Sequence, residues 1–231
     1  PTPHAVPTLR ASDPAPGSPA DQEGRLGNGG FVFNCDDSVD CTPSSTAART
    51  FPEAVALGST FGVRFLPRSS NDIDIGVNDD PTPNGITVQP VGRGFLSAEG
   101  TDGLVAKQAG QGTLVARDAA GTVHDFTTLR IAQPDALAIY GTTGSGISSS
   151  RVTAISLSVG RSSSYRARAL EKGVALAGTF PSEWVSSDTT VADVVMDSTR
   201  SATLTAKKAG NVTLKVSGAA FSAEIPVEVT P

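Results

Sequence analysis

Residues 106–114 read AKQAGQGTL and residues 206–214 read AKKAGNVTL. The two stretches lie 100 residues apart without a gap. Six of the nine positions are identical: Ala106/Ala206, Lys107/Lys207, Ala109/Ala209, Gly110/Gly210, Thr113/Thr213 and Leu114/Leu214. An offset this large makes the repeated unit a whole domain, because solenoid repeats run to only about 20–50 residues. Outward from the match, Ala119-Ala120 lines up with Ala219-Ala220 and Ala54-Val-Ala-Leu57 with Ala154-Ile-Ser-Leu157. Gly58 falls against Gly160, and Phe31-Val-Phe33 against Ala138-Ile-Tyr140. The repeat therefore predicts two domains, residues 30–133 and 134–231, with residues 141–150 (GTTGSGISSS) as a loop inside the second.

Each copy alternates apolar and polar residues with period 2. Val212, Leu214 and Val216 share one face of a segment, as do Ile225, Val227 and Val229. Gly112–Ala116 and Thr128–Ile131 are their counterparts in the first copy. Such alternation, broken by Gly, Asn, Asp and Pro, marks half-buried antiparallel strands. Ala109-Gly110-Gln111 and Ala209-Gly210-Asn211 read as turns in which Gly supplies positive φ. Pro226 within a strand requires an edge position or an N–H turned away from the neighbouring strand. No stretch carries a helical stripe. The expected class is all-β: two tandem immunoglobulin-like β-sandwiches, each of about seven short strands.

Composition agrees. Of 231 residues 24 are Gly and 16 Pro, while charged residues make up 18% and aromatics 5%. Residues 1–29 are rich in Pro, Gly and Ala and lack any apolar period, so they are expected to form an extended or flexible arm. No apolar run approaches the ~18 residues of a membrane-spanning helix. A net charge of −5 argues against nucleic acid as a partner. The charge is uneven: residues 152–231 carry 8 Lys and Arg against 7 Asp and Glu, so the acidic excess lies in the first part.

The second copy strings together LSVG (residues 157–160), Trp184-Val-Ser-Ser-Asp188, AKKAGNVTLKV and the terminal Ile225–Val229 segment. In this order the chain resembles the bacterial Ig-like group 2 domains of invasin- and intimin-like surface proteins. Its W-V-S-S-D has one residue more than the usual W-S-S-D. The first copy shares the Gly58 and Ala109-Gly110 features but has no Trp. The layout of a tether, an aromatic strand, a small Cys loop and FPEAVALG (residues 51–58) also resembles secreted bacterial lipoproteins. The resemblance implies adhesion, surface structure or scaffolding, and an extracytoplasmic location. It implies a removed targeting segment and an N-terminal lipid anchor upstream of the sequence as well. Trp184 is then the core anchor of its strand, the alternative being an exposed platform for a sugar ring.

The residues that carry chemistry are few. Cys35 and Cys41, with five residues between them, fit a small structural disulfide formed in an oxidising compartment. They are too few for a structural zinc site, and the spacing is not that of a redox C-x-x-C. The acidic run with Asp72, Asp74, Asp79 and Asp80 is the calcium candidate, and Asp36, Asp37 and Asp40 in the Cys loop are a lesser one. Neither has the closing Glu of an EF-hand, and a solvated acidic loop is the plain alternative. The histidines are His4 in the arm and His124 beside Asp125, with no nucleophile motif near either. No P-loop, dinucleotide fingerprint or H-E-x-x-H occurs. The expectation is a non-catalytic protein without a cofactor, calcium aside. It would be a stalk, adhesin or structural subunit of an envelope or appendage assembly. Its partners would be other proteins or copies of itself; the alternative is a carbohydrate-binding accessory module that takes glycans.

Overall fold

The computed structural model describes residues 24–34, 54–67, 85–97, 103–143, 146–196 and 201–231. Among the described residues there are strands and no helix. The first eight strands are β1 (Gly29–Asn34), β2 (Ala54–Ala56), β3 (Thr60–Pro67), β4 (Thr87–Val91), β5 (Phe95–Ser97), β6 (Gly103–Ala106), β7 (Gly110–Arg117) and β8 (Val123–Ala132). Ten follow: β9 (Ala136–Thr143), β10 (Gly146–Val152), β11 (Ile155–Ser158), β12 (Ser162–Glu171), β13 (Val174–Ala175), β14 (Glu183–Ser186), β15 (Ala192–Met196), β16 (Ala202–Ala206), β17 (Gly210–Gly218) and β18 (Phe221–Thr230).

They make four sheets. β1-β3-β6-β5 and β2-β8-β7-β4 form a first pair; β10-β9-β12-β16-β15 and β11-β18-β17-β14 form a second, with β13 beside β12. Leaving β10 aside, strand order is the same in both pairs, and it is the order of an immunoglobulin-like sandwich. The short strands β2 and β11 add in parallel to the last strands β8 and β18. The alternation read from the sequence decides which side faces inward. Val212, Leu214 and Val216 of β17 and Ile225, Val227 and Val229 of β18 are all buried.

The repeat is visible in individual hydrogen bonds. The Gly58 amide donates to the Ala106 carbonyl, and the Gly160 amide to the Ala206 carbonyl, both at 2.8 Å. Both glycines have positive φ, 87° and 82°. The return bonds match too: Ala106 N to Ser59 O, and Ala206 N to Arg161 O. These bonds correct part of the alignment. Leu57 donates to Ala132 O as Val159 donates to Thr230 O, so Leu57 corresponds to Val159 and not to Leu157. Phe31 pairs with Phe65, and Ile139 with Ala167. Phe31 thus corresponds to Ile139, one residue from the sequence alignment, and a one-residue slip exchanges the faces of a strand. Residues 141–143 and 146–150, expected in a loop, are strand. Thr143 ends β9 and Gly146 begins β10, an edge strand that pairing with β9 holds despite its poor intrinsic propensity.

Pro226 sits in a strand flanked on both sides. Thr213, its partner on β17, turns its amide and carbonyl toward Ser187, so Pro226 turns away from β17. On the other side β11 begins only at Val227. Of the two positions open to a strand proline, the structure takes the second.

The cores differ by an exchange of bulk. Trp184 is opposite Val216, and the same place on β4, opposite Ala116, holds Val88. Ala192 is opposite Ala206, and its place on β5, opposite Ala106, holds Phe95. The aromatic ring has moved one strand over. Phe95 lies against Gly112, where a Cβ would come within 2.6 Å of its ring, and the counterpart of Gly112 is Val212. Large and small residues thus trade places between corresponding positions of the two cores. Phenylalanines then build the first core: Phe33 stacks on Phe61 at 4.7 Å, and Phe61 meets Phe95 edge-on at 5.4 Å.

Candidate functional site

The calcium candidates Asp72, Asp74, Asp79 and Asp80, and the cysteines Cys35 and Cys41, lie outside the described residues. Among the described residues no group of three His, Cys, Asp or Glu could hold a metal ion. Trp184 is 8% exposed and belongs to the second core, where its buried indole N–H has no hydrogen-bond partner among the described residues. His124 Nε2 lies 3.1 Å from Asp118 Oδ2. Asp118 also accepts the amides of Ala120 and Thr122, both at 2.9 Å. The Thr122 bond, with His124 second, holds its carboxyl below the usual aspartate range. The pair closes a β-turn; it has no architecture for nucleophilic catalysis.

Asp125 is the residue the sequence reading passed over. It is fully buried. Its Oδ1 accepts the amides of Leu26 and Phe126, and its Oδ2 the amide of Asn28, each at 2.8 Å. Asn28 Nδ2 donates to the His124 carbonyl at 2.7 Å. A buried carboxylate is costly unless its lone pairs are satisfied, and here backbone amides satisfy them. Gly24 is packed so closely on the carboxylate that a Cβ would overlap it. Residues 24–28, assigned to the arm by composition, are therefore fixed to β8. The only advance signal was an Asp at an inward position of an alternating strand.

The second feature is the joint between the sheet pairs. Only residues 133–135 separate β8 from β9. Asp135 is held at both ends: its amide donates to Leu170 O at 2.8 Å, and its Oδ2 accepts the Lys172 amide at 2.7 Å. After β13 the chain crosses back to the first pair. Ala177 exchanges main-chain bonds of 3.0 Å with Ala54 and Ala56 of β2. Thr179 exchanges bonds of 2.8 and 3.0 Å with Thr60 of β3. Between these contacts Gly178 has φ 91°, and a Cβ there would collide with Ser59, whose own Cβ would be 2.8 Å away. Ser59 is itself buried and donates to Ala56 O at 2.7 Å.

A cluster of small and aliphatic residues seals the joint. Ala54, Ala56 and Ala132 pack with Leu137, Ala169, Leu176 and Phe180. Burying Phe180 and Leu176 contributes about 1.5–3 kcal/mol each. At the rim Arg130 grips Glu171 through two bonds, 3.1 and 2.7 Å. This grip, aided by the charge of Lys172, holds Glu171 below its ordinary value. The joint is thus made of backbone pairing, apolar packing and a bidentate ion pair.

No family model matches the chain, and no curated protein sequence matches it. Among solved structures it is similar to domains 4 and 5 of the S-layer protein SbsC, at 9% identity and TM-score 0.34, over 87% of this chain and 98% of that one. It spans 23% of the longer S-layer protein rSbsC(31-844), at 12% identity and TM-score 0.34, with 74% of this chain covered. It is also similar to the Escherichia coli adhesin FdeC, at 16% identity and TM-score 0.27, over 78% of this chain and 62% of that one. The Yersinia pseudotuberculosis adhesin InvE aligns at 12% identity and TM-score 0.31, over 78% and 57%.

Proposed function

We propose that the chain is a non-catalytic extracytoplasmic surface protein that acts as a stalk or structural subunit through protein–protein contacts. In this reading residues 30–133 and 134–231 are its two Ig-like domains, preceded by the arm. The observation that carries it is the joint. A binding module that only presents a site has no need of main-chain bonds between neighbouring domains, whereas a spacer must hold their orientation. Interfaces between domains of one chain commonly permit relative motion unless they are substantial and apolar. Here Ala177 and Thr179 pair with β2 and β3 above an apolar seal. Chemistry is absent from the reading because His124 is spent on Asp118 and Asp125 on the arm.

The test is lysine labelling of intact source cells with a membrane-impermeant biotin reagent. Lys107, Lys207, Lys208 and Lys215 lie on the described surface, and all should be modified before lysis. Labelling that appears only after lysis would refute the surface assignment.

A further inference from the structure

The two sheet pairs differ at one edge. β2 covers β8 only over Arg130–Ala132, and β11 covers β18 only over Val227–Thr230. Ahead of those residues each last strand has an outer edge to fill. On β8 the chain fills it: the Arg25 amide donates to Phe126 O at 2.8 Å, and Arg25 Nη2 reaches Thr128 Oγ1 at 3.3 Å. Register places Phe126 where Glu224 stands on β18, Asp125 where Ala223 stands, and Thr128 where Pro226 stands. Among the described residues no amide is bonded to the Glu224 carbonyl from outside.

The edge at β18 is shaped to receive a strand. Ser222 and Glu224 alternate with Ala223 and Ile225, which pair inward with Val216 and Leu214 of β17. The main-chain groups of Ser222 and Glu224 therefore point outward. Beside them an open cavity of about 290 Å³ is lined by Leu137, Ile139, Val152 and Ile225, with Arg151 at the rim. In the first pair the buried Asp125 carboxylate occupies the corresponding place; Ala223 leaves it open.

We propose that this slot binds residues Thr8–Asp13 of a second copy of the chain, added as a strand to the outer edge of β18. An added strand needs main-chain donors, an aliphatic anchor and charges matched to the rim. The segment TLRASD is the longest run without Pro or Gly in residues 1–23. Its period-2 pattern sets Leu9 and Ala11 on one side, for the cavity, and Arg10 on the other, the solvent side, where Glu224 is paired with Lys215 at 3.0 Å. Asp13 supplies the charge opposite to Arg151. Ten residues lie between Asp13 and the pinned Gly24, a reach of about 35 Å when extended. In the first pair the stretch leading into β1 bonds to this edge from a turn, through the single main-chain bond from Arg25 to Phe126; an added strand would extend that bonding along β18. Copies linked in this way are joined head to tail. The inference rests on the structural-subunit reading and names its partner.

The test is sedimentation velocity of the purified full chain from micromolar to millimolar concentration, so its failure leaves the surface assignment untouched. The weight-average sedimentation coefficient should rise with concentration. Leu9→Asp, which spoils the arm, and Ser222→Pro, which removes an outward N–H, should each give monomers. An equimolar mixture of the two variants should restore association but stop at dimers, because one intact arm meets one intact slot. Arg151→Glu, at an exposed position, should weaken association at least tenfold if Ser222→Pro does not fold. A chain that stays monomeric throughout, or variants that associate like the parent, would overturn the proposal. So would an arm protected from hydrogen exchange in the monomer, which would mean that the slot is filled within one chain.

Discussion

Replacing Gly178 by Ala tests whether the joint is a built contact. Two terms add. A side chain at φ 91° is strained, which costs about 1–2 kcal/mol for an L-residue. The new Cβ also collides with Ser59, displacing a buried hydroxyl from its 2.7 Å bond to Ala56 O. A buried group left unsatisfied costs about 1–3 kcal/mol more. The expected loss is about 3 kcal/mol in urea unfolding, with no change in slope. Gly173→Ala isolates the first term, because Gly173 has φ 81° but nothing within 4 Å of its Cβ. The excess of Gly178→Ala over Gly173→Ala is therefore the joint's own contribution. Hydrogen exchange supplies a local readout: the Ala56 and Thr60 amides, bonded to Ala177 and Thr179, should lose protection first. Equal losses for the two variants, with those amides unaffected, would refute the reasoning.

Three further outcomes follow from the geometry. Asp125→Asn should cost about 3 kcal/mol, since it exchanges a carboxylate that accepts three amides for a group that also donates; it should also speed tryptic cleavage after Arg25, and unchanged stability and cleavage would remove the pin. Arg130→Met should lower stability near neutral pH, where Glu171 is ionised and gripped. Because the folded Glu171 titrates below its unfolded value, that stability is present above the usual glutamate range and is lost as pH falls through the folded value. Parent and variant should therefore converge in acid once the pH is below the folded value of Glu171, and an acid-insensitive difference would contradict the assignment. Trp184→Phe should cost only about 1 kcal/mol, because the lost indole N–H has no partner among the described residues, whereas Trp184→Ala should cost about 3–5 kcal/mol by opening a cavity. Thermal melts of the two variants check the contrast, and similar melting points would count against it.

How much of this was legible beforehand depends on the kind of residue. Period-2 alternation exposed β17 and β18 because each has one buried face, and the 100-residue repeat is the sequence counterpart of the strand order that recurs in the two sheet pairs. Alignment slipped by one or two residues at Phe31 and Leu57, where bonds to Phe65 and Ala132, distant in sequence, fix the register. Residues 141–150 look like a loop because Gly is a weak strand former and no apolar alternation runs through them; for Gly146–Val152 pairing with β9 overrides that. In the sequence Asp125 stands out only as the neighbour of His124. Its role depends on amides nearly 100 residues away, which no local pattern encodes. Gly178 is a single glycine among many until Ser59 is brought against it.

The parallel pairing of β11 with β18 has a mechanical consequence. Tension applied between the start of the second sheet pair and its last residues pulls these two strands past each other lengthwise. Their bonds, spread from Ile155 opposite Val227 to Ser158 opposite Thr230, then carry the load side by side. They cannot open one at a time like a zip, so the force that breaks them must break them together. β2 repeats the arrangement on β8, and Ala177 ties the same short strand across the joint. A pull along the chain therefore meets two shear clamps in series, joined by a splice of main-chain bonds instead of a bare peptide.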